Sequence, residues 1–191
     1  MAWIAVVLLV LVLAAIGIAV QGVALYNALV QVKHQVDQAW ANIDVLLKQR
    51  HDELPKLVDA VKGYVTHERG LLEDVTALRV RAQATGSANE RVAAEEALSQ
   101  GVSKLLAVAE NYPSLRASEV FIDLQRRISA LEEQIAHRRE FYNAAVNINN
   151  VRLEEFPDLL LAGFAGLMRK PLFEATGAER TDVDIGAGLR A

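Results

Sequence analysis

The 191-residue sequence contains no cysteine. That absence excludes disulfides, a cysteine nucleophile, a zinc–thiolate site and a lipoprotein acyl anchor. The chain has 20 lysines and arginines against 24 aspartates and glutamates, for a net charge of −4, so no basic field is present that would hold nucleic acid. Only four prolines occur. Alanine, leucine, valine, glutamate and arginine are the most frequent residues, and this composition favours helix over strand.

The motifs of common enzymes are also missing. His67-Glu68 begins like a zinc-protease helix, but the second histidine ligand is replaced by Leu71. A di-iron bundle site needs two Glu-x-x-His helices, whereas Glu133 and His137 are four residues apart and form the nearest approach. No Gly-x-Ser-x-Gly turn or glycine-rich phosphate loop is present. The sequence therefore predicts no catalytic residue, metal, cofactor or small-molecule substrate.

Residues 1–20 contain no charged or strongly polar side chain. Twenty residues of helix rise about 30 Å, which is the hydrocarbon thickness of a bilayer, so we predict a transmembrane anchor. Trp3 suits the lipid interface. The alternative is a cleaved signal peptide with a poor site at Gly17-Ile18-Ala19. A basic N-terminal region is missing, and the apolar stretch is longer than in such peptides.

Orientation depends on few charges. The first basic residue after the anchor is Lys33, followed by Lys48 and Arg50. Because positive residues favour the cytoplasmic side, we expect a single-pass protein with its soluble part in the cytoplasm. The periplasmic or extracellular side is the alternative.

Residues 21–157 follow a helical pattern. The first seam of apolar residues alternates steps of four and three, as in a helix buried along one face: Leu25, Leu29, Val32, Val36, Ala39, Ile43 and Leu46. Arg50 and Glu53 stand where apolar residues are due, and the seam resumes at Leu54. Pro55 lacks an amide donor, so we expect a kink or tight reversal there, with a second helix reaching Ala84.

Later segments continue this pattern. Ser87 and Glu90 have the spacing of a capping box after the loop at 85–89. The third helix then ends at Asn111-Tyr112-Pro113, and Ser118 caps a fourth and longest helix that ends at Phe156-Pro157. The fold class is therefore all-α, with an N-terminal transmembrane helix followed by an antiparallel bundle of long helices. Residues 175–191 read as a flexible tail.

The chain resembles the LemA family. The similarity rests on an ordered set of short motifs, none specific alone: Leu25-Tyr26-Asn27, Ala39-Trp40, Ile43-Asp44-Val45, Leu47-Lys48, Leu57-Val58, Val61-Lys62-Gly63-Tyr64, His67-Glu68, Glu110-Asn111-Tyr112-Pro113, Phe141-Tyr142-Asn143, Phe156-Pro157 and Pro171-Leu172-Phe173-Glu174. The sequence departs from the family around Glu53-Leu54-Pro55-Lys56. The resemblance implies a bacterial single-pass membrane protein with a bundle of long helices. It supplies no catalytic residues, and one branch of the family is associated with magnetosome membranes.

Two similar hexapeptides occur on long helices, residues 25–30 and 141–146. Each places a Tyr-Asn pair near an apolar seam, where asparagine can fix register. We expect Asn27 and Asn143 to share one bundle layer if the helices alternate in direction. The candidate interaction or register positions are Tyr26, Asn27, Trp40, Tyr142 and Asn143. Ordinary specification of the core is the competing interpretation.

Residues 158–174 form a short apolar segment followed by Arg169 and Lys170. The ten residues 159–168 are too few to span a bilayer as a helix. They could lie at the lipid interface with the basic pair toward the headgroups, or pack on the bundle. Leu160 and Phe164 are candidate contact residues in either case.

Two functions fit these observations. The first is a non-enzymatic scaffold of the bacterial inner membrane, acting through helix–helix contacts and assembling with itself or organising the membrane. The alternative is an accessory or sensor subunit of an envelope protease or signalling system. The expected partners are the lipid bilayer and a second copy or another membrane protein.

Overall fold

The computed structural model describes residues 2–64, 68–84 and 86–173. Within these ranges the chain forms helices and turns and no strand, so the all-α prediction is confirmed. The helices in chain order are α1 Ala2–Lys62, α2 Arg69–Ala84, α3 Ala88–Ala109, α4 Pro113–Arg116, α5 Glu119–Arg152 and α6 Asp158–Ala162. The tail predicted at 175–191 lies outside the described residues.

Of the two alternatives predicted at Pro55, a kink or a tight reversal, the reversal is wrong, because α1 continues through the proline to Lys62. Proline has no amide hydrogen, so the carbonyl of His51, four residues earlier, lacks its helical donor. Arg79 on α2 replaces that donor, since its Nε donates to the His51 oxygen at 2.8 Å. The lost backbone bond is therefore made up by a side chain from another helix.

The starts of α3 and α5 agree with the local sequence signals, whereas α5 ends at Arg152, four residues before the predicted end at Phe156-Pro157. The hydroxyl of Ser87 accepts from the amide of Glu90 at 3.3 Å and caps α3. Ser118 accepts from the amide of Phe121 at 3.5 Å at the start of α5. The longest helix is α1, with 61 residues, and not α5 as predicted. The single turn α4 was not predicted.

The chain divides into two compact units, and α1 and α5 contribute to both. The larger unit comprises Ile43–Arg139 and, among the described residues, 171–173. Its helices alternate in direction around one apolar core, as side-chain pairs along α1 show: Asp44–Arg91 and Arg50–Glu95 with α3, Arg50–Glu132 and Glu53–Arg127 with α5. The antiparallel bundle that the seams predict is thus present in this unit.

The smaller unit joins Met1–Asn42 to Glu140–Lys170. Trp40 packs on Tyr142, with ring centroids 5.4 Å apart and planes at 58°. A second cluster places Leu29 against Ala162, Ala165 and Leu167. In α1 the residues before Leu29 are exposed or only partly buried, including the whole apolar stretch 2–20.

Candidate functional site

A cluster of charged side chains lies inside the larger unit. Arg50 on α1 is 0% exposed. Its Nη1 donates to Ser99 Oγ at 2.6 Å and to Glu132 Oε1 at 2.9 Å. Its Nη2 donates to a carboxylate oxygen of Glu95 on α3. One guanidinium therefore joins α1, α3 and α5, and we call these residues with His51 and Arg139 the buried charge cluster.

Glu95 is the most enclosed acid of the cluster, with 1% of its surface exposed. Its second carboxylate oxygen lies 3.0 Å from His51 Nε2. Burial by itself would raise the pKa of Glu95, but the hydrogen bond from His51 and the positive charge of Arg50 outweigh burial and lower that pKa. Glu95 is therefore ionised at neutral pH.

Ser99 connects the remaining members of the cluster. Its hydroxyl donates to Glu132 Oε2 at 2.9 Å and accepts from Arg50 and, at 3.1 Å, from Arg139. Burial and the nearby Arg50 charge lower the pKa of Arg139. The Arg139 guanidinium also lies 4.8 Å from the centre of the Phe173 ring, within the range of a cation–π contact.

The chemistry of this cluster is that of a structural ion network. Two arginines face two glutamates, and each carboxylate already accepts hydrogen bonds from an arginine. Neither of the two surface grooves described below is lined by a member of the cluster. Arg50 Nε, His51 Nδ1 and Arg139 Nε are buried without a hydrogen-bond partner among the described residues, but the paired groups join three helices. Buried networks that join helices in this way can fix which helices pair and in what register. We therefore assign the cluster to bundle specificity.

A groove runs along the surface between α1 and α2, with a volume of about 1020 Å³. Its apolar floor includes Val58, Leu72 and Val80, and charges of both signs line it: Asp59, Lys62, Arg69, Glu73 and Arg81. A smaller cavity of about 150 Å³ continues past Pro55 to Arg79. This is a surface that a helix could occupy.

The structure separates the two predicted Tyr-Asn pairs. Tyr142 is buried and contacts Trp40, which is partly buried as expected. Burial raises the pKa of Tyr142 to about 12, so its phenol stays neutral. Tyr26 and Asn27 are exposed, while Asn143 is partly buried.

The expected shared layer of Asn27 and Asn143 is wrong. Tyr142 contacts Trp40, which lies thirteen residues beyond Asn27 on α1. That separation is about 20 Å along the helix. The similarity of the two hexapeptides therefore does not reflect pairing between them.

Two further asparagines of α5 bind the backbone of the segment 158–170. Asn149 Nδ2 donates to the Met168 carbonyl at 2.8 Å. Asn150 exchanges two bonds with the backbone of Lys170, each 3.0 Å long. These hydrogen bonds hold the segment 158–170 against α5. Leu160 and Phe164 in this segment are 62% and 82% exposed.

Sequence reasoning missed the buried charge cluster as a site. Its signals were two charged residues at seam positions, Arg50 on α1 and Glu95 on α3. In the ranges 2–64, 68–84 and 86–173, no group of three histidine, aspartate or glutamate side chains is arranged to hold a metal ion. His67 lies outside these ranges.

Comparison with known proteins identifies the family of this chain. The structure is that of an all-helical protein whose first helix is long and apolar enough to cross a membrane. The model of the LemA family matches residues 39–186. The chain belongs to the LemA family.

Its curated relatives are distant in sequence. Protein LemA of Metamycoplasma hominis is 27% identical over 161 residues, covering 83% of this chain and 73% of the relative. Magnetosome protein MamQ 2 of Paramagnetospirillum magneticum is 22% identical over 184 residues, covering 83% and 68%. Magnetosome protein MamQ of Magnetospirillum gryphiswaldense is 21% identical with the same coverage.

Proposed function

We propose that this protein is a non-enzymatic scaffold of the bacterial inner membrane that associates with further copies of itself through the α1–α2 groove. The observation that carries the proposal is the groove itself, an open surface with apolar and charged lining residues between α1 and α2. Relatives named as magnetosome proteins support a role at a membrane.

The membrane anchor is the exposed part of α1. Apolar side chains cover its surface from Trp3 to Val23, and all of them are exposed in the part of the chain that the structure describes. Outside lipid this surface would be an aggregation site. Within lipid it requires no protein partner, because the helix satisfies its own backbone hydrogen bonds.

The lining of the groove favours a second copy as its occupant. A two-fold interface brings the same patch from both chains together, so the patch must complement itself. Here three cations and two anions surround an apolar floor. Such a mixed surface can pair Lys62 or Arg69 of one chain with Glu73 or Asp59 of the other.

Cysteine crosslinking of the full chain in detergent micelles tests this proposal. Since the chain has no cysteine, Val80→Cys places a single thiol at the groove, and Ser103→Cys places one on an exposed position of α3 as a matched control. We expect a short bifunctional reagent to give dimers with Val80→Cys only. Val80→Asp should shift the particle mass measured by light scattering toward the monomer.

Equal crosslinking at both positions, or a monomeric wild type, would overturn self-association through the α1–α2 groove. A monomer that carries one foreign protein in fixed ratio, released by Val80→Asp, would favour the alternative of an accessory or sensor subunit.

We also propose that the chain after the anchor lies on the cytoplasmic side, because the exposed Lys33 and Lys48 follow the anchor. A reporter fused after Ala191 that is active only in the cytoplasm should give signal. Alkaline phosphatase activity at the same position would reverse the orientation.

A further inference from the structure

The segment 158–168 has two different sides. One side packs on α1, where Ala162, Ala165 and Leu167 bury Leu29 completely. The other side leaves four large apolar side chains exposed: Leu159, Leu160, Phe164 and Met168. So many exposed apolar groups on eleven residues form a patch that requires a partner.

The patch is held firmly in place. Asn149 and Asn150 bind the carbonyls of Met168 and Lys170. The buried Asp158 at the start of α6 pairs with Arg152. Gly166 has a φ of 71°, a value that suits glycine, and this turn lets Leu167 reach the cluster around Leu29. The apolar side chains therefore project from a fixed position on the smaller unit.

That position is at the end of the membrane span. Beyond Val20, α1 continues for twelve residues without a charged side chain, and Lys33 is the first charged residue. Leu29 lies in this uncharged stretch, nine residues or about 14 Å beyond Val20 along the helix. Contact with Leu29 thus places the segment beside the part of α1 that leaves the bilayer.

The charges near the patch suit the same location. A Cβ added at Gly166 would lie 3.1 Å from Lys33 Nζ, so this ammonium lies beside the turn. Arg169 and Lys170 directly follow the patch. Arg169 is exposed and pairs with Glu154 at 3.1 Å. Cations at the border of an apolar patch are typical of surfaces that lie in the membrane interface.

We propose that Leu159, Leu160, Phe164 and Met168 insert into the interfacial region of the bilayer that α1 crosses, so that the chain contacts its membrane at two places. This inference needs the anchor of α1 but not self-association. The second contact fixes the tilt and rotation of the smaller unit at the membrane surface.

Fluorescence quenching by spin-labelled lipid tests the contact. The full chain is placed in nanodiscs, one chain per disc, with an environment-sensitive dye on Phe164→Cys. The control is Phe141→Cys, which is also exposed and lies beside Tyr142, at the level of Trp40. Trp40 is eleven residues beyond Leu29, which is about 16 Å further along α1.

We expect the dye at 164 to emit at shorter wavelength than the dye at 141, and to be quenched by a nitroxide near the headgroup. Leu160→Asp should reduce both effects at 164 while the circular dichroism stays helical. Equal emission and quenching at the two positions would overturn the proposal. A blue shift at 164 without lipid quenching would also overturn it and would indicate a protein partner. Because each disc holds one chain, failure of self-association cannot mimic either result.

Discussion

Replacing Arg50 tests whether the buried charge cluster holds the bundle together. Arg50→Met keeps an unbranched apolar side chain but removes the donors to Glu95, Ser99 and Glu132. Glu95 then keeps only its contact with His51, inside a core where 1% of its surface is exposed. Removing one partner of a buried ion pair costs about 3–5 kcal/mol. We expect a loss near 3 kcal/mol, because Glu132 is 22% exposed and partly solvated.

Removing the charge of Glu95 should restore part of the stability that Arg50→Met loses. In Arg50→Met with Glu95→Gln, the uncompensated buried charge is gone, so the double variant should lose less stability than Arg50→Met alone. Lys56→Met is the matched control, since it breaks an exposed pair with Glu53 of 2.7 Å. Exposed pairs of this kind contribute about 0–1 kcal/mol. Urea unfolding of the full chain in micelles, followed by circular dichroism, measures all three.

The pH dependence gives an independent readout. The pKa of Glu95 is lowered from its ordinary value of 4.5, so its charge stabilises the fold above that pH. The contribution is lost as the pH falls through the lowered pKa. The stability difference between the wild type and Glu95→Gln should therefore shrink below pH 4.5. A difference that stays constant there, or a double variant less stable than Arg50→Met, would refute the reasoning.

Two further predictions concern single contacts. Arg79→Met should lower the free energy of unfolding by about 1–3 kcal/mol, since it leaves the His51 carbonyl without a donor. The loss should be smaller in a Pro55→Ala background, because the alanine amide restores the helical hydrogen bond. Equal losses in the two backgrounds would contradict this account. Trp40→Ala should cost about 2–3 kcal/mol through lost packing on Tyr142, and Trp40→Phe less, both measured by urea unfolding; a loss below about 0.5 kcal/mol would show that the ring contact contributes little.

Local sequence signals predicted what depends on neighbouring residues. In the first seam, Leu29, Val32, Val36 and Ile43 are buried, as the spacing predicted. The cap at Ser87 depends on a residue three positions away, so the sequence contains all of its information.

Pro55 shows where this reasoning ends. From the sequence alone, proline removes a donor and should interrupt the helix. The compensating group is Arg79, 24 residues later and on another helix. Only the packing of α2 against α1 identifies it, so the local rule gave the wrong result at this point.

The buried charge cluster could be predicted from the sequence only in part. An arginine at a seam position must either turn its side chain toward solvent or pair with anionic side chains inside the bundle, because an unpaired buried charge is too unfavourable. The seam of α3 carries the opposite anomaly, Glu95, three residues after Val92 and three before Leu98. Two residues of opposite charge, each at an apolar seam position of a different helix, predict a contact between their side chains. This inference was open to sequence reasoning and would have aligned Arg50 with Glu95. Ser99 and Glu132 could not be chosen in this way, because α5 offers Glu132 and Glu133 in succession and only the packed bundle distinguishes them.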